Sequence, residues 1–198
     1  MVFPRFAPVR IIAGEFRGRK LLPPDTDATR PITDRVKQSL FDIVSPWLEN
    51  AVVYDCFAGT GSMGLESLSR GAKSAAFFEM DRSGVKCLSK NIATLGVESR
   101  SKIIAGDIFE RAIDSRPIHK ASIIFFDPPY RMLGQFPAQL AKLASEFAEH
   151  HVTPDGLLVF RHDSQDSLAL APFLTYDVRT YGGMTLEFMR LDIKTVSS

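Results

Sequence analysis

The amino-acid sequence predicts a doubly wound α/β fold, in which helices cover both faces of a mostly parallel β-sheet. Five near-continuous apolar runs alternate with segments of helical spacing between residues 52 and 160. Strands that are apolar without polar alternation are typical of parallel strands buried on both faces. The last two runs are joined by a turn at Gly182-Gly183 instead of a helix, which indicates an antiparallel hairpin at the C-terminal edge.

Each predicted element is bounded by a change in this pattern. The predicted parallel strands are Val52–Phe57, Ala75–Phe78, Lys102–Ala105, Ile123–Phe126 and Leu157–Phe160. The intervening segments that we expect to be helical are Ser62–Arg70, Ser83–Leu95, Phe109–Asp114 and Phe136–His150. The strands of the hairpin are expected at Tyr176–Tyr181 and Thr185–Leu191.

A small basic lobe is predicted ahead of the sheet. Val9–Gly14 and Arg17–Leu22 are short runs that predict a β-hairpin with Arg and Lys at its exposed positions. Either residue of Thr33-Asp34 can cap a following amphipathic helix. We therefore expect residues 1–46 to form a basic hairpin-and-helix lobe and residues 47–198 to form the ligand-binding domain.

The distribution of charge favours a polyanion partner on one face of the molecule. The net charge is only +1, but residues 1–40 hold eight Lys and Arg against four acids, so the remainder carries −3. A basic lobe on a mildly acidic body is typical of a nucleic-acid footprint, and a solvated basic face is the alternative.

Membrane and secreted classes of protein are not favoured by the sequence. No apolar run approaches the roughly 20 residues that a membrane span requires, and the first residues lack the apolar stretch of a secretory signal. We therefore expect a cytoplasmic protein. The cysteines, Cys56 and Cys87, and the four histidines have no metal-ligand spacing, so no metal site is predicted.

A glycine-rich loop follows the first predicted strand. Asp55–Gly64 contains G-x-G-x-x-G and opens a helix, a spacing that also cradles the pyrophosphate of NAD. Glu79, at the end of the second strand, lies where either cofactor class would place an acid on ribose hydroxyls. The loop alone therefore does not choose between the two cofactors.

Asp55 favours S-adenosylmethionine. A carboxylate at this strand end would repel a pyrophosphate, whereas the ammonium and sulfonium of S-adenosylmethionine are cationic. Asp107, after the third strand, can accept a hydrogen bond from an adenine amino group. The local alternatives are that Asp55 caps the loop and Asp107 caps a helix. The residues assigned to the cofactor are Asp55, Phe57, Gly59, Gly61, Glu79 and Asp107.

The fourth strand ends in the string Asp127-Pro128-Pro129-Tyr130, which contains the predicted catalytic residues. Two consecutive prolines remove both N–H donors and leave a stiff rim of acceptors. The Asp127 carboxylate and a carbonyl near Pro128 can hold the two N–H groups of an exocyclic amine and direct its lone pair at a methyl donor. Tyr130 can stack on the target base. A Pro-Pro turn with a surface tyrosine is the purely structural alternative.

The chain resembles the RsmD-type bacterial methyltransferases that modify a guanine 2-amino group in 16S ribosomal RNA. The resemblance extends from Arg10 to about Leu191 and rests on the following strings: Arg10-Ile11-Ile12-Ala13-Gly14, Arg17-Gly18-Arg19-Lys20-Leu21, Arg30-Pro31-Ile32-Thr33-Asp34-Arg35-Val36-Lys37, Asp55–Glu66, Ser69-Arg70-Gly71-Ala72 and the D-P-P-Y string. Two departures are Ile32, where relatives carry a small polar residue, and Tyr130, where Phe is common.

This resemblance implies a Rossmann-like fold for S-adenosylmethionine-dependent methyl transfer, with the N-terminal hairpin helping to hold RNA. The implied partner is ribosomal RNA or the small ribosomal subunit, and we expect the chain to act as a monomer. The predicted RNA contacts are Arg10, Arg17, Arg19 and Lys20.

Other functions remain compatible with the same strings. Methyltransferases for adenine in DNA or glutamine in protein use a similar D/N-P-P-Y/F string, although Asn is commoner there at the first position. The glycine loop also fits an NAD-dependent oxidoreductase. A non-catalytic RNA-binding module with a relict fold is the remaining alternative, and the intact D-P-P-Y string argues against it.

Overall fold

A computed structural model of the chain describes residues 9–23, 32–114 and 119–192. Seven strands form one sheet in the order β3-β2-β1-β4-β5-β7-β6. The strands are β1 Val52–Cys56, β2 Ser74–Glu79, β3 Ser101–Ala105, β4 Ala121–Phe126, β5 Val152–Asp163, β6 Phe173–Tyr181 and β7 Met184–Leu191. The first five are mutually parallel, and β7 runs antiparallel to both β5 and β6. The predicted doubly wound, Rossmann-like architecture with an antiparallel hairpin is confirmed.

Helices connect the parallel strands as expected. They are α1 Asp34–Val44, α2 Ser62–Ser69, α3 Arg82–Leu95, α4 Ile108–Asp114, α5 Arg131–Gln135 and α6 Pro137–Glu146. The predicted helix Phe136–His150 is α6 followed by a π-helical turn, Phe147–His151. The short α5 was not predicted. Thr33 caps α1, since its hydroxyl accepts the Val36 amide N–H, as expected.

β5 differs most in length from its predicted strand, since it begins at Val152 and not at Leu157. Its first residues include Pro154 and Gly156, which are turn formers, and for this reason the sequence predicted a strand only from Leu157. The ladder nevertheless pairs Ala121 with Val152, is interrupted by a bulge, and resumes at Ile123 opposite Leu157. The bulge absorbs the irregular residues, so the strand extends through them.

Side chains from the sheet alternate between two hydrophobic clusters, one on each face. On β1 and β4, Val53 and Phe125 belong to the cluster beneath α1, α2 and α3, whereas Tyr54 and Phe126 belong to the cluster beneath α4 and α6. Successive strand residues point to opposite faces. The sheet is therefore buried on both sides, as its apolar runs indicate.

The N-terminal segment is only partly the hairpin that was predicted. The amides of Ile11 and Leu21 donate to the carbonyls of Arg19 and Val9, and the ladder is reduced to an isolated bridge between residues 10 and 20. The amides of Ile12 and Ala13 donate instead to the carboxylate of Glu66 on α2. Ile11 and Leu21 are buried in the cluster beneath α1. The division into units at residue 46 stays a prediction, and Arg30 and Pro31 lie outside the described residues.

Glu66 of α2 binds the N-terminal segment to the sheet. Its carboxylate accepts the amides of Ile12 at 2.8 Å and Ala13 at 3.0 Å, the Arg70 guanidinium at 2.8 Å and the Lys37 ammonium at 3.0 Å. Glu66 and Lys37 are both almost fully buried. Burial lowers the pKa of Lys37, and the neighbouring Glu66 opposes this effect.

Lys37 extends this network to the glycine loop. Its ammonium also donates to the Arg10 carbonyl at 2.9 Å and to the Ser62 hydroxyl at 3.1 Å. Ser62 is the first residue of α2 and directly follows Gly61 of the glycine loop. One buried network therefore positions the N-terminal segment, α1 and the start of α2.

The described residues, 9–23, 32–114 and 119–192, form the helices given above. None of them is both long enough and apolar enough to cross a bilayer.

Glu66→Ala should destabilise the protein by about 3–5 kcal/mol, because it leaves the buried Lys37 ammonium without its counter-charge and two backbone amides without an acceptor. Glu15→Ala is the matched control, since Glu15 forms an exposed ion pair with Arg100 that should contribute less than about 1 kcal/mol. Urea denaturation of both variants measures the difference. Equal midpoints would show that the buried network does not stabilise the fold.

Candidate active site

The acids that the sequence assigned to ligands lie at one edge of the sheet. The register pairs Cys56 of β1 with Phe78 of β2 and with Phe126 of β4, so the carboxyl ends of these strands lie side by side. The acids at this edge are Asp55, Glu79, Asp107 and Asp127. Ligands of such sheets bind outside the carboxyl ends of the strands.

The glycines of the loop have two different roles. A Cβ atom on Gly61 would lie 2.4 Å from Leu88 Cδ1, and one on Gly64 would lie 2.3 Å from Phe77 Cε1. These two glycines therefore allow α2 to pack closely against α3 and β2. Gly59 has a φ of +54° and no heavy atom within 4 Å of its Cβ position, so its backbone is open to a ligand.

Phe57 begins the loop in a left-handed conformation with a φ of +62°, which is uncommon for a residue other than glycine. Its ring contacts Phe126 edge-on, with the ring centroids 5.9 Å apart. This contact holds the end of β1 against the end of β4. It thereby brings the glycine loop next to the D-P-P-Y string.

Asp55 is buried at the centre of this edge, and its Oδ2 atom accepts the Gly64 amide N–H at 2.8 Å. Burial raises the pKa of Asp55 to about 7, and the negative charges of Asp127 and Glu79 act in the same direction, while the Gly64 hydrogen bond and Lys37 oppose it. Asp55 therefore does cap the loop. Its role towards a cofactor stays a prediction, for which the carboxylate keeps further lone pairs.

Glu79 and Asp107 also contact the backbone. Glu79 accepts the amides of Gly59 at 2.7 Å and Asp81 at 2.8 Å, so it ties the end of β2 to the open part of the glycine loop. Asp107 accepts the Phe109 amide at 3.0 Å and so caps the start of α4. Their proposed contacts with ribose and adenine remain predictions, and both side chains are only partly buried.

Asp127 has a partner that the sequence analysis missed. Its Oδ1 atom accepts Nε of Arg161 on β5 at 2.6 Å. Phe126 pairs with Phe160, so the next residues along the two parallel strands, Asp127 and Arg161, are adjacent. Burial raises the pKa of Asp127, and Arg161 opposes that rise. A cation directly after the apolar run Leu157–Phe160 was the available sequence signal.

The rest of the D-P-P-Y string forms the turn into α5. Pro128 is buried, and Pro129 and Tyr130 are half-buried. The Pro129 carbonyl accepts the Met132 amide at 2.7 Å, and the Tyr130 carbonyl accepts the Leu133 amide at 3.1 Å. The Pro128 carbonyl is therefore the better candidate to receive an amine.

The four residues predicted to contact RNA are exposed, but they are not equally close to this edge. The loop between the two N-terminal runs packs on the far end of α2, where the Glu15 amide donates to the Ser69 carbonyl at 2.8 Å. At a rise of 1.5 Å per residue, this end lies roughly 10 Å from the glycine loop. Arg17 and Arg19 lie on that loop or directly after it. Arg10 forms an exposed ion pair with Asp34 at 2.7 Å.

Asp55→Asn should stabilise the protein more at about pH 8 than at about pH 5. The pKa of Asp55 is about 7 in the folded protein and about 4 in the unfolded chain. The folded protein therefore loses stability as the pH rises towards 7, and Asn avoids this loss. We expect the gain at about pH 8 to exceed the gain at about pH 5 by about 2–3 kcal/mol.

Denaturant midpoints at the two pH values measure this effect, with the exposed Asp166→Asn as the control variant. A change in stability that is the same at both pH values would show that ionisation of Asp55 does not lower the stability of the folded protein.

The chain matches known proteins over most of its length. The family model described as "Conserved hypothetical protein 95" matches residues 9–190. The ribosomal RNA small subunit methyltransferase D of Escherichia coli is 42% identical over 123 residues, which are 62% of this chain and 61% of that protein. The protein of the same name from Haemophilus influenzae is 33% identical over 166 residues, or 83% of each chain.

The fold is shared with a solved structure, "Putative methyltransferase yhhF from Escherichia coli". The TM-score is 0.79 at 30% sequence identity, and the match covers 93% of this chain and 98% of that one. The chain therefore belongs to the family described as Conserved hypothetical protein 95, the RsmD-type methyltransferase family.

Proposed function

We propose that this chain transfers the methyl group of S-adenosylmethionine to the exocyclic 2-amino group of a guanine in small-subunit ribosomal RNA. The observation that carries the proposal is the position of Asp127, whose carboxylate is held by Arg161 at the sheet edge where the glycine loop opens. We further propose that the chain acts as a monomer in the cytoplasm, where ribosomal RNA is found.

The charge of the sheet edge supports S-adenosylmethionine as the cofactor. Asp55, Glu79 and Asp107 would hold its ammonium, ribose hydroxyls and adenine amino group, respectively. NAD would bring a pyrophosphate to an edge where Asp55 is already buried beside other acids, which is unfavourable. When bound, S-adenosylmethionine supplies an electrophilic methyl group on a sulfonium. The open backbone at Gly59 leaves room for a ligand beside Glu79.

The D-P-P-Y string supports an exocyclic amine as the methyl acceptor. Asp127 accepts one N–H of the amine and the Pro128 carbonyl accepts the other, so that the nitrogen lone pair is directed at the methyl donor. The nitrogen gains positive charge as the new bond forms, and the Asp127 carboxylate stabilises that charge. Tyr130 stacks on the base, which single-stranded or flipped nucleotides allow.

The exposed basic residues support RNA as the substrate. The backbone of Arg10 lies near the start of α2 through Lys37, and the loop that carries Arg17 packs at the far end of α2, roughly 10 Å further on. RNA phosphates that follow α2 can therefore reach the exposed residues Arg10, Arg17, Arg19 and Lys20. We infer that residues 1–46 serve as the RNA-facing lobe, although part of the segment shares a core with the rest of the chain.

Relatives named ribosomal RNA small subunit methyltransferase D favour this substrate over DNA or protein. The guanine 2-amino group is the finer part of the proposal. It is supported by the resemblance of the N-terminal strings and by Asp, rather than Asn, at position 127.

Asp127→Ala should slow single-turnover methyl transfer to ribosomal RNA, because it removes about 2–4 kcal/mol of transition-state stabilisation. The affinity for S-adenosylmethionine should change little. Asp127→Asn keeps an acceptor and should retain part of the activity. The rate is measured with labelled S-adenosylmethionine and with each variant in excess over the RNA. A wild-type rate for Asp127→Ala would show that the D-P-P-Y turn is only structural.

The ion pair with Arg161 adds a control to this experiment. Asp127→Ala leaves a largely buried guanidinium without its counter-charge, so it should also lower the melting temperature. Rates are therefore compared per folded molecule, at a temperature well below the transition of each variant. A loss of activity that only follows the loss of folded protein contradicts the catalytic assignment.

Replacing both Arg17 and Arg19 with Ala should weaken RNA binding and reduce the slope of log affinity against log salt by about one unit for each lost phosphate contact. Affinity for S-adenosylmethionine should not change. Arg179→Ala on the exposed edge strand is the matched control. If the double variant binds RNA like wild type at every salt concentration, the N-terminal segment is not the RNA footprint.

A further inference from the structure

Arg161 is a cation of the active-site edge that belongs to neither the glycine loop nor the D-P-P-Y string. It lies near the end of β5, and only 9% of its side chain is exposed. Its Nε atom donates to Asp127 Oδ1 at 2.6 Å, a short distance that is typical of a charge-assisted hydrogen bond. A guanidinium is planar and rigid, so this contact fixes the orientation of the carboxylate as well as its charge.

The groups around this pair come from several elements. Asp55 of β1 and Tyr130 after β4 act electrostatically on Arg161 in addition to Asp127. Lys37 of α1 and Glu79 of β2 act on Asp55 in turn. Arg161 is therefore the cation that acts on Asp127, and Asp55 is the acid of the neighbouring strand that acts on this pair.

An unpaired Asp127 in this position would be a poor acceptor. Burial disfavours the ionised form of a carboxylate, and a protonated carboxyl group has one oxygen occupied by its own proton. Arg161 engages Oδ1 of the ionised group and leaves acceptor capacity on the carboxylate for a second donor. The geometry thus matches a group that receives an N–H and keeps its negative charge.

We propose that Arg161 is a positioning residue for methyl transfer, which holds Asp127 ionised and in one orientation so that the carboxylate accepts the target amine. This inference rests on the proposed function of Asp127. It predicts that the charge of residue 161 matters more at low pH than at high pH.

The direction of the pH effect follows from the ion pair. Arg161 opposes the rise that burial causes in the pKa of Asp127, so a neutral residue at this position lets that pKa rise further. A variant without the cation then protonates Asp127 as the pH falls, and it loses the acceptor. Wild type and a variant that keeps the cation protonate Asp127 at lower pH.

Arg161→Gln, Arg161→Lys and the exposed control Arg179→Gln test this inference in the full chain. The first measurement is single-turnover methyl transfer to ribosomal RNA between about pH 6 and pH 9, with S-adenosylmethionine and enzyme saturating. We expect Arg161→Gln to be slower than wild type on the order of 100-fold at the lowest pH and to recover in part as the pH rises. Arg161→Lys should be faster than Arg161→Gln at low pH, and Arg179→Gln should follow wild type.

The second measurement does not require activity. Carbon-13 NMR follows the titration of the Asp127 carboxyl group in wild type and in Arg161→Gln, both without ligands. The resonance of this group is assigned by its loss in Asp127→Asn. A higher midpoint in Arg161→Gln supports the inference even if the chain fails to methylate ribosomal RNA, in which case only the proposed function is wrong.

Two results would overturn the role of Arg161. One is an Asp127 midpoint that is the same in Arg161→Gln and wild type. The other is an Arg161→Gln rate, per folded molecule, that equals wild type or is reduced by one constant factor at every pH, as expected for a residue that only supports the fold.

Discussion

The buried carboxylate of Glu66 is the contact on which the arrangement of the N-terminal half depends. It receives two backbone amides of the N-terminal segment and two cations, one of which, Lys37, continues to Ser62 at the start of α2. A buried charge is tolerated only when its partners are complete. The fold therefore fixes the basic segment relative to the glycine loop.

The second constraint is the accumulation of acids at the carboxyl ends of the strands. Asp55 is buried near Glu79 and Asp127; burial, together with these charges, raises its pKa to about 7, so its ionisation opposes folding. A cationic ligand relieves this repulsion, whereas a phosphate increases it. We propose that these charges favour a cationic cofactor and would stabilise an amine that becomes cationic during transfer.

Local signals predicted most of the fold, and long-range contacts account for what was missed. The parallel strands, the glycine loop and the D-P-P-Y turn are continuous strings with a period or a composition of their own. Arg161 and Asp127 are 34 residues apart in the sequence, and Ile12 and Glu66 are 54 residues apart. No periodicity records such contacts. The second one also diverts backbone amides from the predicted hairpin, which explains its short ladder.

If this edge methylates the 2-amino group of a guanine, the modified nucleoside in the RNA product is N2-methylguanosine. Small-subunit ribosomal RNA, both naked and within the assembled subunit, is incubated with the chain and labelled S-adenosylmethionine, digested to nucleosides and analysed by mass spectrometry. We expect the label in N2-methylguanosine, and far less of it with Asp127→Ala after the same short incubation. Label in N6-methyladenosine, or no label in either RNA, would contradict the claim.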